Sequence, residues 1–311
     1  MHGLLAVYRK ELADHLGSRR FVILAILICL AGLSSVYVAA QSIRAEISDA
    51  RNAFLLLFTT ASGPLPTFIT FISFLGPLVG LALAFDTING EQNRGTLSRL
   101  LAQPIYRDAV INGKFLAALV TVAIMLASIF VIVSALGILT IAVLPSPEEL
   151  GRVVGFLIVC ILYVGFWVAL ATMFSVLFRQ TTTAALAGVA AWIFFTFFVT
   201  MITDALANAF VTLDMLFDPQ AMLEWEAWRQ NLARLAPSTL FQEATIALLM
   251  PKVRTLGPIL MRDLIGMLPN PLPLHESLVL IWPQVTGLLA LTAICFAIAY
   301  IRFMTQEIRS L

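Results

Sequence analysis

The chain has 311 residues, of which 60% are hydrophobic and 12% charged, with 19 Lys and Arg against 18 Asp and Glu. Soluble domains carry about 25% charged residues, so this composition excludes a water-soluble enzyme and a disordered chain. A net charge of +1 leaves no basic stripe for nucleic acid, and an integral membrane protein remains.

Residues 3–20 read as an amphipathic helix on the membrane surface. Leu4, Leu5, Tyr8, Leu12 and Leu16 recur at helical spacing, with Arg9, Lys10, Asp14 and Arg19 elsewhere on the wheel. Such a helix anchors the first span, or also forms a docking surface. The first charge-free window, Phe21–Ile43, is longer than the roughly 7–15 residues of a signal-peptide core, and Glu11 and Asp14 precede it. An uncleaved first span is expected. The second window, Asn52–Phe85, is broken early by Gly63, Pro64 and Pro66, which sets span two at about 67–85. Windows at Phe115–Pro147, Val153–Phe178, Gln180–Thr203 and Ser277–Ile301 supply spans three to six. About 20 apolar residues cross a hydrocarbon core, and a charge at its centre costs roughly 2.5–3.5 kcal/mol. The expected fold is an all-α integral membrane protein, one transmembrane domain over 1–311 with six transmembrane helices.

Between spans two and three, residues 86–114 form a polar elbow with an apolar middle at Leu97, Leu100 and Leu101. Gly90 and Gly95 punctuate it, and Pro104 ends one short helix before the next leads into span three. A short helix presenting charge and Leu to the cytosol suits contact with a partner protein; the alternative is an ordinary re-entry loop. Arg9, Lys10, Arg19, Arg20, Arg94, Arg99, Arg107, Lys114, Arg179, Arg302 and Arg309 share one side, against Arg44, Arg51 and Arg152 on the other. The positive-inside rule therefore places both termini in the cytoplasm.

The loop 204–277 then faces outward. Asp218-Pro219 marks a turn. Trp225, Trp228 and Leu232 indicate an amphipathic helix over about 220–235, and Thr239 with Gln242 has capping-box spacing ahead of an apolar helix to about Met250. A lid on the outer bilayer face is the preferred reading. An outer gate, or a docking site for an extracytoplasmic partner, is the other. Met215, Met222, Met250, Met261 and Met267 carry thioethers that could take Cu(I), but Met also fills apolar surfaces, and no metal site is expected. Cys29, Cys160 and Cys295 each sit in an apolar run, and His2, His15 and His275 stand alone. No P-loop is present: Lys114 is followed by Phe115, and Asp108 stands five residues before Gly113. Gly76-Pro77 and Gly80 in span two permit close helix approach and a bend. Trp192, Phe194, Phe195, Phe197 and Phe198 in span five could form an apolar constriction, or simply pack and face lipid. No Asp, Glu, Lys, Arg or His lies inside the windows, which argues against an ion-coupled secondary transporter. Six helices are few for a transport route, which favours a twofold homodimer.

The elbow resembles the signature of ABC-2 type permeases, the membrane subunits of a class of ATP-binding-cassette exporters. Phe85-Asp86, Gly90-Glu91, Gly95-Thr96-Leu97, Leu100-Leu101, Pro104, Arg107 and Gly113-Lys114 carry the resemblance, with Arg9-Lys10-Glu11-Leu12 and Arg19-Arg20 matching the family's opening. A copper-linked branch of the family is similar too. The resemblance implies a coupling helix seated in a groove of a separate ATPase, with Glu91, Arg94, Gly95, Thr96, Leu97, Arg99 and Leu100 at that contact. Arg9, Lys10 and Glu11 would lie on a connecting helix within 1–20 beside it. Spans two and five would line a pathway enclosed by two copies, placing Gly76, Gly80, Phe194, Phe195 and Phe198 there. ATP and Mg would sit on two copies of the partner ATPase and no cofactor on this chain, which would act as an exporter subunit of the plasma (inner) membrane and not as an enzyme. The alternatives are an ion-coupled secondary transporter and a non-transporting membrane scaffold or assembly factor.

Overall fold

The computed structural model describes residues 2–46, 53–60, 66–210, 218–256 and 271–306. Among these the chain is helical, and six helices are long and apolar enough to cross a membrane. α1 (His2–Leu16) and α2 (Arg19–Glu46) are separated only by Gly17-Ser18, where Ser18 Oγ accepts from the Phe21 amide at 3.1 Å and caps α2. α3 (Ala53–Thr59) is short, and α4 (Phe68–Ala84) starts at Thr67, whose hydroxyl accepts from the Thr70 amide. The elbow holds α5 (Asn89–Asn93) and α6 (Thr96–Leu101). α7 (Arg107–Ile141) and α8 (Pro147–Leu177) are the two longest helices. Span five is α9 (Thr181–Ile193), a π-helical turn at Phe194–Phe198 and α10 (Val199–Ala209). α11 (Pro219–Ala233), α12 (Pro237–Leu249) and α13 (Leu274–Leu280) precede the last span, α14 (Trp282–Thr305).

Three features depart from the expected layout. α7 begins at Arg107, not near Phe115, because Pro104 stops the preceding helix and nothing after Tyr106 breaks the next. At 35 residues it is about 52 Å long, so it carries the elbow into the membrane as one rod. α8 likewise starts earlier, at a capping box in which Ser146 and Glu149 each satisfy the other's backbone amide. α3 was not anticipated. Its residues Phe54, Leu55, Leu57 and Phe58 are buried, and Phe58 meets Phe68, Phe130 and Phe156 with ring centroids 5.5–6.0 Å apart.

α8 is the central post of the bundle. It packs against α4, α7, α12 and α14, and Phe156, Tyr163, Trp167 and Val168 on it are fully buried. Apolar attraction between helices is weak in lipid, so close packing must substitute for it. Gly76 and Gly80 serve that contact. A Cβ on Gly80 would stand 2.7 Å from Trp167 Cβ and 2.9 Å from the Val164 carbonyl oxygen. Pro77 has no amide to offer the Ser73 carbonyl one turn back. Tyr163 Oη donates to that carbonyl at 2.8 Å, so the break leaves no buried acceptor unpaired. Tyr163 also stacks on Phe241 of α12 at 4.4 Å, and Gln242 Nε2 donates to Ser73 Oγ at 3.2 Å. α12 is therefore a wall of the bundle, with Phe241, Ala244, Ala247 and Leu248 buried, and not a lid lying on its outside.

Buried Arg152 closes the end of the bundle opposite the elbow. Its guanidinium donates to the Leu248 and Leu272 carbonyls, to Ser277 Oγ and to Glu148, tying α8 to α12 and α13. The tight α4–α8 seam predicts that Gly80→Ala destabilises the purified chain by about 1–3 kcal/mol, read by thermal unfolding in detergent. Gly155→Ala serves as the control and should not lower stability, since its added Cβ meets only Leu248 methyls, at 3.5 Å and beyond, and alanine favours the helix.

Candidate functional site

The elbow is held from behind and open in front. After α4, the Ile88 amide donates to Ser175 Oγ at 2.9 Å, and buried Asn89 donates from Nδ2 to the Phe178 carbonyl at 3.2 Å. Both partners lie at the end of α8, so the elbow starts from a fixed point. Gly95 joins α5 to α6 in the left-handed region, at φ +66°, with open space around its α-carbon. Glycine is required there for its backbone, not for room. Thr96 Oγ1 reaches back to the Glu91 carbonyl at 3.2 Å and closes the turn. Leu97 points inward to a small apolar cluster with Val7, Ile88, Ile111, Val176 and Phe303, drawing in α1, α7, α8 and α14. Arg107 adds a hydrogen bond to the Gln306 carbonyl at 3.1 Å.

A buried charge cluster joins α1 to this frame. Val7 and the backbone of Leu4 rest on Gly113, which lets α1 lie close against α7. One turn further along α1, Glu11 meets Lys114. The Lys114 ammonium lies 2.9 Å from a carboxylate oxygen of Glu11 and 2.9 Å from one of Glu91. Its side chain is 2% exposed, and those of Glu11 and Glu91 are 10% and 11%. Lys10 lies 2.8 Å from Glu11, 3.2 Å from Asp14 and 3.7 Å from Glu91. Burial pushes the Glu11 carboxyl up, but the Lys114 charge and the hydrogen bonds from Lys10 and Lys114 outweigh it and hold its pKa below the ordinary 4.5. Burial likewise opposes the charge on Lys10, yet the hydrogen bond and charge of Glu11, with help from Asp14, raise its pKa. Burial holds His15 below its ordinary 6.5. At the edge, Arg20 pairs with Asp86 at 2.8 Å and covers the Phe85 ring.

This frame leaves two clefts, of about 470 Å³ and about 500 Å³, on either side of Lys10, Asp14, Glu91 and Arg94. The arrangement is a charged elbow fastened to the membrane-spanning helices α7 and α8. Residues 5–308 match the family described as ABC-2 family transporter protein. The chain belongs to that family. It is similar to a probable ABC transporter permease protein, NosY, of Stutzerimonas stutzeri, with 27% identity over 229 residues, covering 72% of this chain and 76% of that one. It is also similar to a probable ABC transporter permease protein NosY of Pseudomonas aeruginosa, with 33% identity over 110 residues, covering 35% of this chain and 36% of the relative.

The permease sorts its expected site residues into two faces. Arg94, Gly95, Thr96 and Arg99 are exposed, and Leu100 is half-buried. Glu91 and Leu97 face inward, the first to Lys114 and the second to the apolar cluster. On α1, Arg9 and Lys10 are exposed and Glu11 is buried. Leu5, placed on the apolar face by its spacing, is exposed, and Val7 takes the inward position. Of the pathway candidates, Gly76 and Gly80 lie in the α4–α8 contact. Phe194 and Phe198 are exposed, and Phe195 is half-buried against Phe166 and Trp167. Met215, Met261 and Met267 lie outside the described residues, and among the described residues no cluster of His, Cys, Asp or Glu could hold a metal. Sequence reasoning missed Lys114, Asn89 and Ser175 as the parts that fasten the elbow. The available signal was a lysine at the lip of a long uncharged window, where an ammonium either snorkels to the interface or finds a carboxylate.

Removing Lys114 leaves the buried Glu11 and Glu91 carboxylates with only the half-exposed Lys10 as a cation. Lys114→Met should cost about 3 kcal/mol in thermal unfolding, and the triple variant Glu11→Gln/Glu91→Gln/Lys114→Met should recover most of it. The pH dependence has a definite sign. His15 and Glu11 both have depressed pKa values in the fold, so the undocked state takes up protons first as pH falls. Docking of α1 is complete above 6.5, weakens below it as His15 titrates, and weakens again below 4.5 with Glu11. Measured against the intrinsic rate at each pH, protection of the α1 amides should fall between about pH 7 and 5, and His15→Phe should remove that fall.

Proposed function

We propose that this permease is the transmembrane half of an exporter driven by a separate ABC ATPase, and that the exposed face of α5 and α6 is the surface the ATPase grips. The observation that carries this reading is the two-sidedness of the elbow. Arg94, Gly95, Thr96 and Arg99 are offered to solvent, while Glu91, Leu97 and Asn89 weld the reverse face to α1, α7 and α8. A push on the exposed face has no slack to absorb it. It enters α7 at Arg107 and the α4–α8 seam at Ser175, and so reaches the membrane.

In this reading the elbow end is cytoplasmic, with both termini, in keeping with the Lys and Arg gathered there. ATP and Mg belong to two ATPase copies, and this chain binds neither. Two permeases form a homodimer in the plasma (inner) membrane. Span five supports that arrangement: in the single chain only 6% of its most apolar window is buried, against 67% for α8. Phe194 and Phe198, exposed on its π-helical turn, would then face a shared pathway.

The test is recovery of the ATPase with the tagged full chain, purified from its own cells. Arg99→Glu reverses a charge on the exposed face, and Gly95→Val forces a branched side chain into a left-handed backbone. Each should lower co-purified ATPase about tenfold, equivalent to 1.4 kcal/mol, with membrane insertion unchanged. Undiminished recovery with both variants would overturn the assignment of this surface.

A further inference from the structure

At the end of the bundle opposite the elbow, one face of α11 forms a small aromatic box. Ala221, Glu224, Trp225 and Trp228 recur at helical spacing, and Phe210, at the end of α10, closes the side. The cavity is about 360 Å³. Phe210 and Trp228 stand nearly perpendicular, at 82°, with centroids 5.7 Å apart. Trp225 is fixed in place because its indole N–H donates to the Ala207 carbonyl at 2.8 Å. It therefore contributes ring surface and no free donor.

The charges around the box are already divided. Arg229 is occupied by Asp204 at 2.9 Å and by Glu226 at 2.6 Å. Glu224, on the box itself, has no ion pair among the described residues. The cavity thus combines three aromatic walls with one uncompensated carboxylate and no cation of its own. Ring faces are electronegative, and a cation without N–H groups satisfies them without needing acceptors. A primary ammonium carries three donors, and the lining side chains supply only the Glu224 carboxylate to receive them.

We propose that this box binds a quaternary ammonium group of the choline type. Such a group could come from the headgroup of a bilayer lipid or from a free quaternary amine. The site stands apart from the elbow and does not depend on the ATPase assignment.

The test uses the full chain in nanodiscs. In one arm, discs of phosphatidylglycerol with equal phosphatidylcholine and phosphatidylethanolamine are followed by native mass spectrometry for lipids retained by the protein. Preferential retention of phosphatidylcholine, by about fivefold, is expected. It should vanish in Glu224→Gln and in Trp228→Leu and persist in Trp228→Phe. In the other arm, tetramethylammonium is titrated into discs of phosphatidylglycerol alone and read by tryptophan fluorescence. Saturable binding lost in Glu224→Gln, without any preference for the choline lipid, would support the same site with a free amine as its source. Equal retention of both lipids with no tetramethylammonium response, or responses that survive Glu224→Gln and Trp228→Leu alike, would overturn the proposal. Glu224 is exposed, so its substitution keeps the test decisive even where Trp228→Leu disturbs folding.

Discussion

One ammonium group, buried where α1, the elbow and α7 converge, organises the elbow end of this bundle. An ammonium buried at that depth costs several kcal/mol in desolvation unless carboxylates meet it. Glu11 and Glu91 make it stable, and each comes from a different segment of the chain. The pairing therefore does more than neutralise charge. It favours fixed positions of the N-terminal helix and the elbow against α7, because a shift of either would remove one of the two carboxylates that hold the buried ammonium. Gly113 allows the approach by letting Val7 and Leu4 sit on the α7 backbone.

The same logic of forced pairing recurs in the membrane. Pro77 frees a carbonyl inside the bundle, and the Tyr163 hydroxyl answers it. Gly80 removes a side chain, and the backbone of α8 moves in. Arg152 is buried at the far end, and the carbonyls of Leu248 and Leu272 gather around it. Each arrangement commits α8 to a neighbour, and together they connect the elbow to the helices at the opposite end through one post. For a transporter subunit this matters, because a mechanical signal needs rigid elements that meet at defined joints.

Particular residues show how far the chain could be read unaided. The six spans were legible from charge-free windows, and the family from the order of Gly90-Glu91, Gly95-Thr96-Leu97 and Gly113-Lys114. The left-handed Gly95 was foreseeable as a turn. The roles of Glu91 and Leu97 were not: both sit in an exposed-looking polar elbow, and both turn inward. Lys114 stands at the far end of the elbow from Glu91, the cluster around Leu97 draws on residues as far as Val7 and Phe303, and no local periodicity marks such contacts. α3 was hidden for a related reason, since a short apolar run beside a Pro-rich break looks the same whether it packs or frays.

What the sequence by itself determined was the number and placement of the apolar rods, because hydrocarbon excludes charge over a length that helix geometry sets. It also determined where the rods are interrupted, because proline and glycine act through their own backbones. Only the tertiary structure decided which side of the elbow is free, which helix stands at the centre and which carboxylates share the buried lysine. Those outcomes depend on pairings between residues far apart in the chain, and such pairings have meaning only once the helices are packed.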